Sequence, residues 1–129
     1  MSVSIYAFIE HKSASGWCLY KDMDRKHHEP GFNLAPISWG RYNFDRYYEQ
    51  SAEKGLPEDL SPGIQQIIEK QQADWGDDAI NRPSWLSLQE ILDIYKHDRE
   101  HRYAHFDMEF LQQLECKLKQ DIRVIFWAI

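Results

Sequence analysis

The chain of 129 residues carries 15 Lys and Arg against 21 Asp and Glu, a formal net charge of −6, with 43% hydrophobic and 14% aromatic residues. That length fits one domain, 1–129, able to bury roughly two-thirds of the surface its unfolded form exposes. Five Trp, seven Tyr and six Phe exclude intrinsic disorder, and no stretch approaches the roughly 20 apolar residues of a membrane span.

The first element is a strand over 3–10, with Val3, Ile5, Ala7 and Ile9 on one side and Tyr6 and Phe8 on the other. Ser13-Ala-Ser-Gly16 turns the chain, and 17–22 returns as its hairpin partner. The polar stretch 24–36, with Pro30, Gly31 and Pro36, reads as a long loop. A helix is expected over 41–54, stopped by Gly55 and Pro57. Ser61-Pro62 is a strong start for the next, because a hydroxyl can accept from the first turn and proline suits the first position. Its apolar stripe is Ile64, Ile67 and Ile68, and Gly76-Asp-Asp ends it. After Pro83, Ser87 and Glu90 form a capping box ahead of a stripe of Leu88, Ile91, Leu92 and Tyr95. A last helix over 106–119 carries Phe110, Leu111, Leu114 and Leu118. The β-branched and aromatic run 121–128 closes the chain as a central strand. The order β-β-α-α-α-α-β predicts an α+β domain: a small, mainly antiparallel sheet made of the N-terminal hairpin and the C-terminal strand, with about four helices on one face.

The first residues lack the basic and long apolar regions of a secretory signal, so the chain reads as cytoplasmic. Cys18 and Cys116 show no CxxC or Cys-His spacing and read as two free thiols. Acidity is concentrated in residues 61–94, with 2 basic and 6 acidic side chains, against 7 and 9 in 1–60 and 6 and 6 in 95–129. No segment has the basic excess of a phosphate-tracking surface, which argues against nucleic acid as a partner. Glu69, Asp74, Asp77 and Asp78 form an acidic patch that either faces a basic protein surface or is simply solvated.

Three constellations could carry chemistry. Asp93, His97, His101 and His105 recur every four residues, and a His-x-x-x-His pair on one helix face can hold zinc or nickel. The core stripe of that helix puts them on the opposite, solvated side, and no HExxH accompanies them; no metal or other cofactor is assigned on this basis. The pairs Glu58-Asp59 and Asp77-Asp78 lie at helix ends, where turn chemistry accounts for them, and adjacency does not make an acid/base pair. Trp39, Tyr42, Phe44, Tyr47 and Tyr48 point in several directions on a helix. Beside Arg41 and Arg46 they have the composition of a protein-binding hot spot, although aromatics dominate cores as well.

Five segments in shared order, SIYAFIE at 4–10, Gly40-Arg41, GLPEDLS at 55–61, PSWLSLQEI at 83–91 and IRVIFW at 122–127, resemble a family of short proteins encoded by phages, prophages and bacteria, mostly without assigned function. Family members begin with an Asp-Ile-His-like strand, carry a His-Ser-x-Ser-Trp-Leu helix start and close with an Asp-Asn. Here Ser4 and Tyr6 replace the first pair, Asn81, Arg82 and Pro83 stand before Ser-Trp-Leu, and Ala128-Ile129 stands at the close. The retained residues are Glu10, Arg41, Asp59, Ser84, Trp85 and Arg123.

The resemblance implies an accessory protein that keeps the scaffold without the family's titratable positions. It therefore implies a non-enzymatic protein that binds and inhibits or modulates a host protein, for example a defence nuclease. The contact residues would be Arg41, Tyr42, Tyr47, Tyr48, Glu10 and Trp85, or the acidic face near Asp74–Asp78, and a homo-oligomer is compatible with this. The alternatives are a small metal-dependent nucleotide or phosphodiester hydrolase using His97 and His101, and a nucleotide-sequestering sponge, which the net charge disfavours.

Overall fold

Strand β1 (Ile5–Ser13) and strand β2 (Gly16–Leu19) form the expected hairpin, with Ser13 opposite Gly16. Gly16 takes φ 117°, a conformation that L side chains rarely adopt. The computed structural model describes residues 5–20, 41–97 and 104–129; the side chains of 41–44, 97 and 104–110 are not described. The loop expected over 24–36 lies outside these residues. The remaining elements are α1 (Arg41–Gln50), α2 (Pro62–Trp75), β3 (Asn81–Ser87), α3 (Leu88–His97), α4 (Ala104–Leu118) and β4 (Ile122–Ala128). The strands pair antiparallel in the order β2-β1-β4-β3, which makes the fold α+β, with β4 central as expected.

Two expectations are corrected. The residues before the Ser87 cap, expected only to lead into a helix, form a strand of their own. Trp85 and Leu86 pair with Ile125 and Val124 of β4. β3 is an edge strand, blunted by Pro83, by a register irregularity between Asn81 and Ser84, and by Arg82 at φ 50°. The helices, expected on one face, cover both. Ile122, Val124, Phe126 and Ala128 of β4 pack with Tyr47 of α1, Leu88 and Ile91 of α3, and Leu111 and Leu114 of α4. Ile125 and Trp127, on the alternate side, pack with Phe8 and with Ile64, Ile67 and Ile68 of α2. Every residue of β4 is buried, because both faces of a central strand are covered.

The helix signals act as read. The Ser61 hydroxyl accepts from the Ile64 N–H at 3.3 Å, and Gly76, at φ 106°, donates its N–H to the Gln72 carbonyl. The Ser87 N–H donates to Glu90 Oε1 and the Glu90 N–H to Ser87 Oγ, both at 3.1 Å, a closed capping box. Helix α1 stops earlier than expected, at Gln50. The chain turns through Ala52 and Glu53, with φ 59° and 53°, before Gly55 at φ 76°.

Helix α2 meets the hairpin at a glycine. A Cβ on Gly63 would lie 2.8 Å from the Cβ of Leu19, an atom fixed to the β2 backbone and unable to swing aside. Alanine in a helix interior ordinarily gains about 1 kcal/mol over glycine. Here Gly63→Ala is expected to destabilise by about 1–3 kcal/mol through overpacking. Chemical denaturation checks this against Gln66→Ala at an exposed position of the same helix, which should change stability little.

Candidate functional site

The α2-facing side of the sheet ends in a cluster that the cross-strand register builds. Glu10 of β1 stands opposite Arg123 of β4, Lys12 opposite Trp17 of β2, and Ser87 of β3 opposite Arg123 on its other side. These residues share one face because alternate positions along paired strands do. Glu10 and Arg123 are buried, with side chains 0% and 3% exposed, and their ion pair runs from Arg123 Nε to Glu10 Oε1 at 2.5 Å. The second Glu10 oxygen accepts the Ser61 N–H at 2.7 Å. Arg123 Nη1 donates to Asp59 Oδ1 at 2.9 Å and Nη2 to the Asp59 carbonyl at 3.2 Å. A buried charge persists only when paired and hydrogen-bonded, and each nitrogen of this guanidinium has an oxygen.

Aromatic rings complete a ladder across the sheet. The guanidinium carbon lies 4.0 Å from the Trp17 ring centre and 5.5 Å from that of Trp85. Lys12 Nζ is 5.8 Å from Trp17, and Lys54 Nζ is 3.9 Å from Trp85. Cations at these distances are attracted by the negative faces of the rings. Lys54 is held there by both oxygens of Glu90, at 2.8 and 2.9 Å. Three cations, Lys12, Arg123 and Lys54, thus alternate with two indoles, and Glu10, Asp59 and Glu90 supply the opposite charge.

The hydrogen bond from Arg123, acting against a smaller desolvation, holds the Asp59 carboxyl below the usual carboxylate range. Burial pushes Glu90 up, but hydrogen bonds from Lys54 and Ser87 together with the Lys54 charge outweigh it, and its net shift is downward. A depressed folded-state value means that Asp59 contributes stability above its unfolded value, near 3.8, and that this contribution disappears as pH falls through the lower folded value. Asp59→Asn is therefore expected to flatten the acid limb of the stability–pH curve below about pH 4. Urea midpoints of both chains between neutral and strongly acidic pH check it.

Beside the ladder, two buried serines tie the end of α1 to β3. The Lys54 N–H donates to Ser84 Oγ at 3.2 Å. Ser84 and Ser51 hydroxyls are 2.6 Å apart, and Ser51 donates onward to the Tyr48 carbonyl. The chain of donors runs one way, so neither buried hydroxyl wastes its proton.

The sequence-predicted residues are distributed unevenly. Glu10 and Trp85 both belong to the ladder, Glu10 fully buried and Trp85 half-buried. Tyr47 is a core residue, so it presents no surface. Tyr48 is half-buried, with the Arg82 guanidinium 5.7 Å from its ring and Arg82 paired to Asp45 at 2.8 Å. The side chains of Arg41 and Tyr42 lie outside the described residues. So do those of His97, the last residue of α3, and His105, in α4, and the whole of His101. Asp93 accepts from Gln89 on an exposed face. Among the described residues no three His, Cys, Asp or Glu side chains are placed to hold a metal ion. Cys18 and Cys116 are free thiols, as expected.

Of Glu10, Arg41, Asp59, Ser84, Trp85 and Arg123, singled out in the sequence, Glu10, Asp59, Trp85 and Arg123 meet in this one cluster, with Ser84 next to Trp85 in β3. Trp17 and Lys54 were not legible as members. The available signal was Arg123 itself, a charge inside an otherwise apolar strand, which demands acids and a covering from neighbouring strands.

No protein-family model matches the chain, and no curated protein or solved structure matches it. What the fold and the cluster define is a small α+β domain with a four-stranded antiparallel sheet covered by helices on both faces. No helix among the described residues is long and apolar enough to cross a membrane.

Proposed function

We propose that the protein acts by binding, as a phage-type accessory protein that inhibits or modulates a host protein such as a defence nuclease. The observation that carries the binding reading is Trp75. It ends α2 with 72% of its surface exposed, the one large hydrophobic so exposed among the described residues. An exposed tryptophan bears the largest contact area of any side chain, and tryptophans are enriched among the residues that dominate interface energies. Its chain neighbours Asp74, Asp77 and Asp78 are exposed as well. Carboxylates around an indole favour a basic partner surface, with arginine or lysine able to stack on the ring.

Host-protein binding is tested by affinity capture from a bacterial lysate, comparing the parent chain with Trp75→Ala and with Asp77→Asn/Asp78→Asn. The expected result is a protein retained at micromolar strength or better, weakened about 30-fold or more by Trp75→Ala, as for an interface hot spot. The carboxamide pair is expected to slow association and flatten its salt dependence. Failure to capture any protein, or capture indifferent to Trp75, would overturn the reading.

A further inference from the structure

We propose that Asp59 is a built-in plug in an oxyanion site formed by Arg123 between Trp17 and Trp85, and that the 52–60 segment is the strap that holds the plug in place. This site is separate from Trp75 and does not depend on the binding reading above.

The geometry at Arg123 carries the inference. Its two terminal nitrogens take two oxygens from a single residue, Asp59 Oδ1 at 2.9 Å and the Asp59 carbonyl at 3.2 Å. Two oxygens on one edge of a guanidinium is the pattern in which arginine receives a carboxylate or a phosphate. The third nitrogen belongs to Glu10, which is fully buried and anchored in turn by the Ser61 N–H. With Asp59 withdrawn, Glu10 and the Trp17 ring, 4.0 Å away, still orient the guanidinium. Its outer edge then holds donors without acceptors, and an oxyanion from solvent satisfies them.

Exposure separates the two acids. Glu10 is 0% exposed and part of the interior, whereas the Asp59 side chain is 64% exposed and stands between Arg123 and water. An incoming anion therefore meets the plug first and need not cross the core. The strap also has the character of a segment that can let go. Ala52 and Glu53 occupy the left-handed region without being glycine, and strain of this kind persists only where surrounding contacts hold it. Those contacts are local pins, the Lys54–Glu90 ion pair and the bond from the Lys54 N–H to Ser84.

Tethered beside Arg123, Asp59 competes at high effective concentration, so the parent chain binds free oxyanions weakly. Removing the carboxylate frees Nη1 and takes away the competing charge while residue 59 keeps its main-chain carbonyl beside Nη2, and this is expected to tighten binding by about tenfold or more. The test titrates the parent chain, Asp59→Ala and Asp59→Glu with inorganic phosphate and with acetate at constant ionic strength, following the indole N–H resonances by NMR. In Asp59→Ala, Trp17 and Trp85 should shift saturably while Trp75 and Trp127 do not; Asp59→Glu, which restores a tethered carboxylate, should suppress the response. The tighter of the two probes identifies the ligand as phosphate-like or carboxylate-like. Adding Arg123→Lys to Asp59→Ala should abolish saturation, with a dispersed Trp127 resonance reporting that the fold is intact. If that chain does not fold, suppression by Asp59→Glu decides alone. Shifts in Asp59→Ala that stay linear, match those from chloride, or persist in Asp59→Glu would overturn the proposal.

Discussion

Glu10→Ala is expected to lower unfolding free energy by about 3–5 kcal/mol, because it strands a buried guanidinium with one of its counter-charges gone. The remaining partner cannot compensate, since Asp59 is largely exposed and engages only the terminal nitrogens of Arg123. The Ser61 N–H at the start of α2 also loses its acceptor, so a buried backbone donor is stranded together with the guanidinium. A paired replacement separates these causes. Glu10→Leu with Arg123→Met removes both charges and fills the space with apolar groups, and it should cost much less than the single change. Urea denaturation of the three variants measures the difference. A loss below about 1 kcal/mol for Glu10→Ala would mean that the pair behaves like an exposed one.

Trp127→Ala is the second large effect, about 3–5 kcal/mol, from a cavity beneath α2. Trp127 is fully buried and stacks on Phe8, with ring centres 5.0 Å apart, and on Tyr6 at 6.1 Å. Its indole N–H donates to Gln71 of α2 at 2.8 Å, so the side chain both fills the core and bolts the helix to the sheet. Trp127→Phe keeps much of the stacking and should cost clearly less. It leaves the Gln71 acceptor without that donor, a net loss of about 0.5–1.5 kcal/mol beyond the lost volume. Thermal unfolding of both variants tests the ordering, and near-UV circular dichroism reports whether the aromatic stack survives.

Local chemistry was legible wherever a few neighbouring residues decide the outcome. The Ser61-Pro62 start, the Ser87–Glu90 capping box, the Ser13–Gly16 turn and the stripe of α2 all satisfy backbone groups or bury side chains within a turn or two of the chain. Strand β3 was misread because its features point two ways. Pro83 and the cap at Ser87 announce a helix start, and only pairing with β4 reveals that the residues between them are extended. Edge strands tolerate proline, and a strand signal of seven residues is easily masked by the helix that follows. The placement of helices on both faces was latent in the closing strand. Ile122, Val124, Phe126 and Ala128 alternate with Ile125 and Trp127, and such a strand has no face fit for water.

By itself the sequence determined the α+β class, the antiparallel hairpin, the helix starts at Ser61 and Ser87 and the central position of β4, because each follows from periodicity, capping or the burial a strand demands. Tertiary structure alone decided that Glu10, Asp59, Trp85 and Arg123 meet, joined by Trp17 and Lys54. Their contacts depend on strand register and on where the 52–60 segment crosses the sheet, and a one-residue slip would send each strand side chain to the opposite face. Charge balance explains why these residues belong together once register has placed them: a buried arginine in a central strand must gather its acids and its aromatic cover from every element within reach.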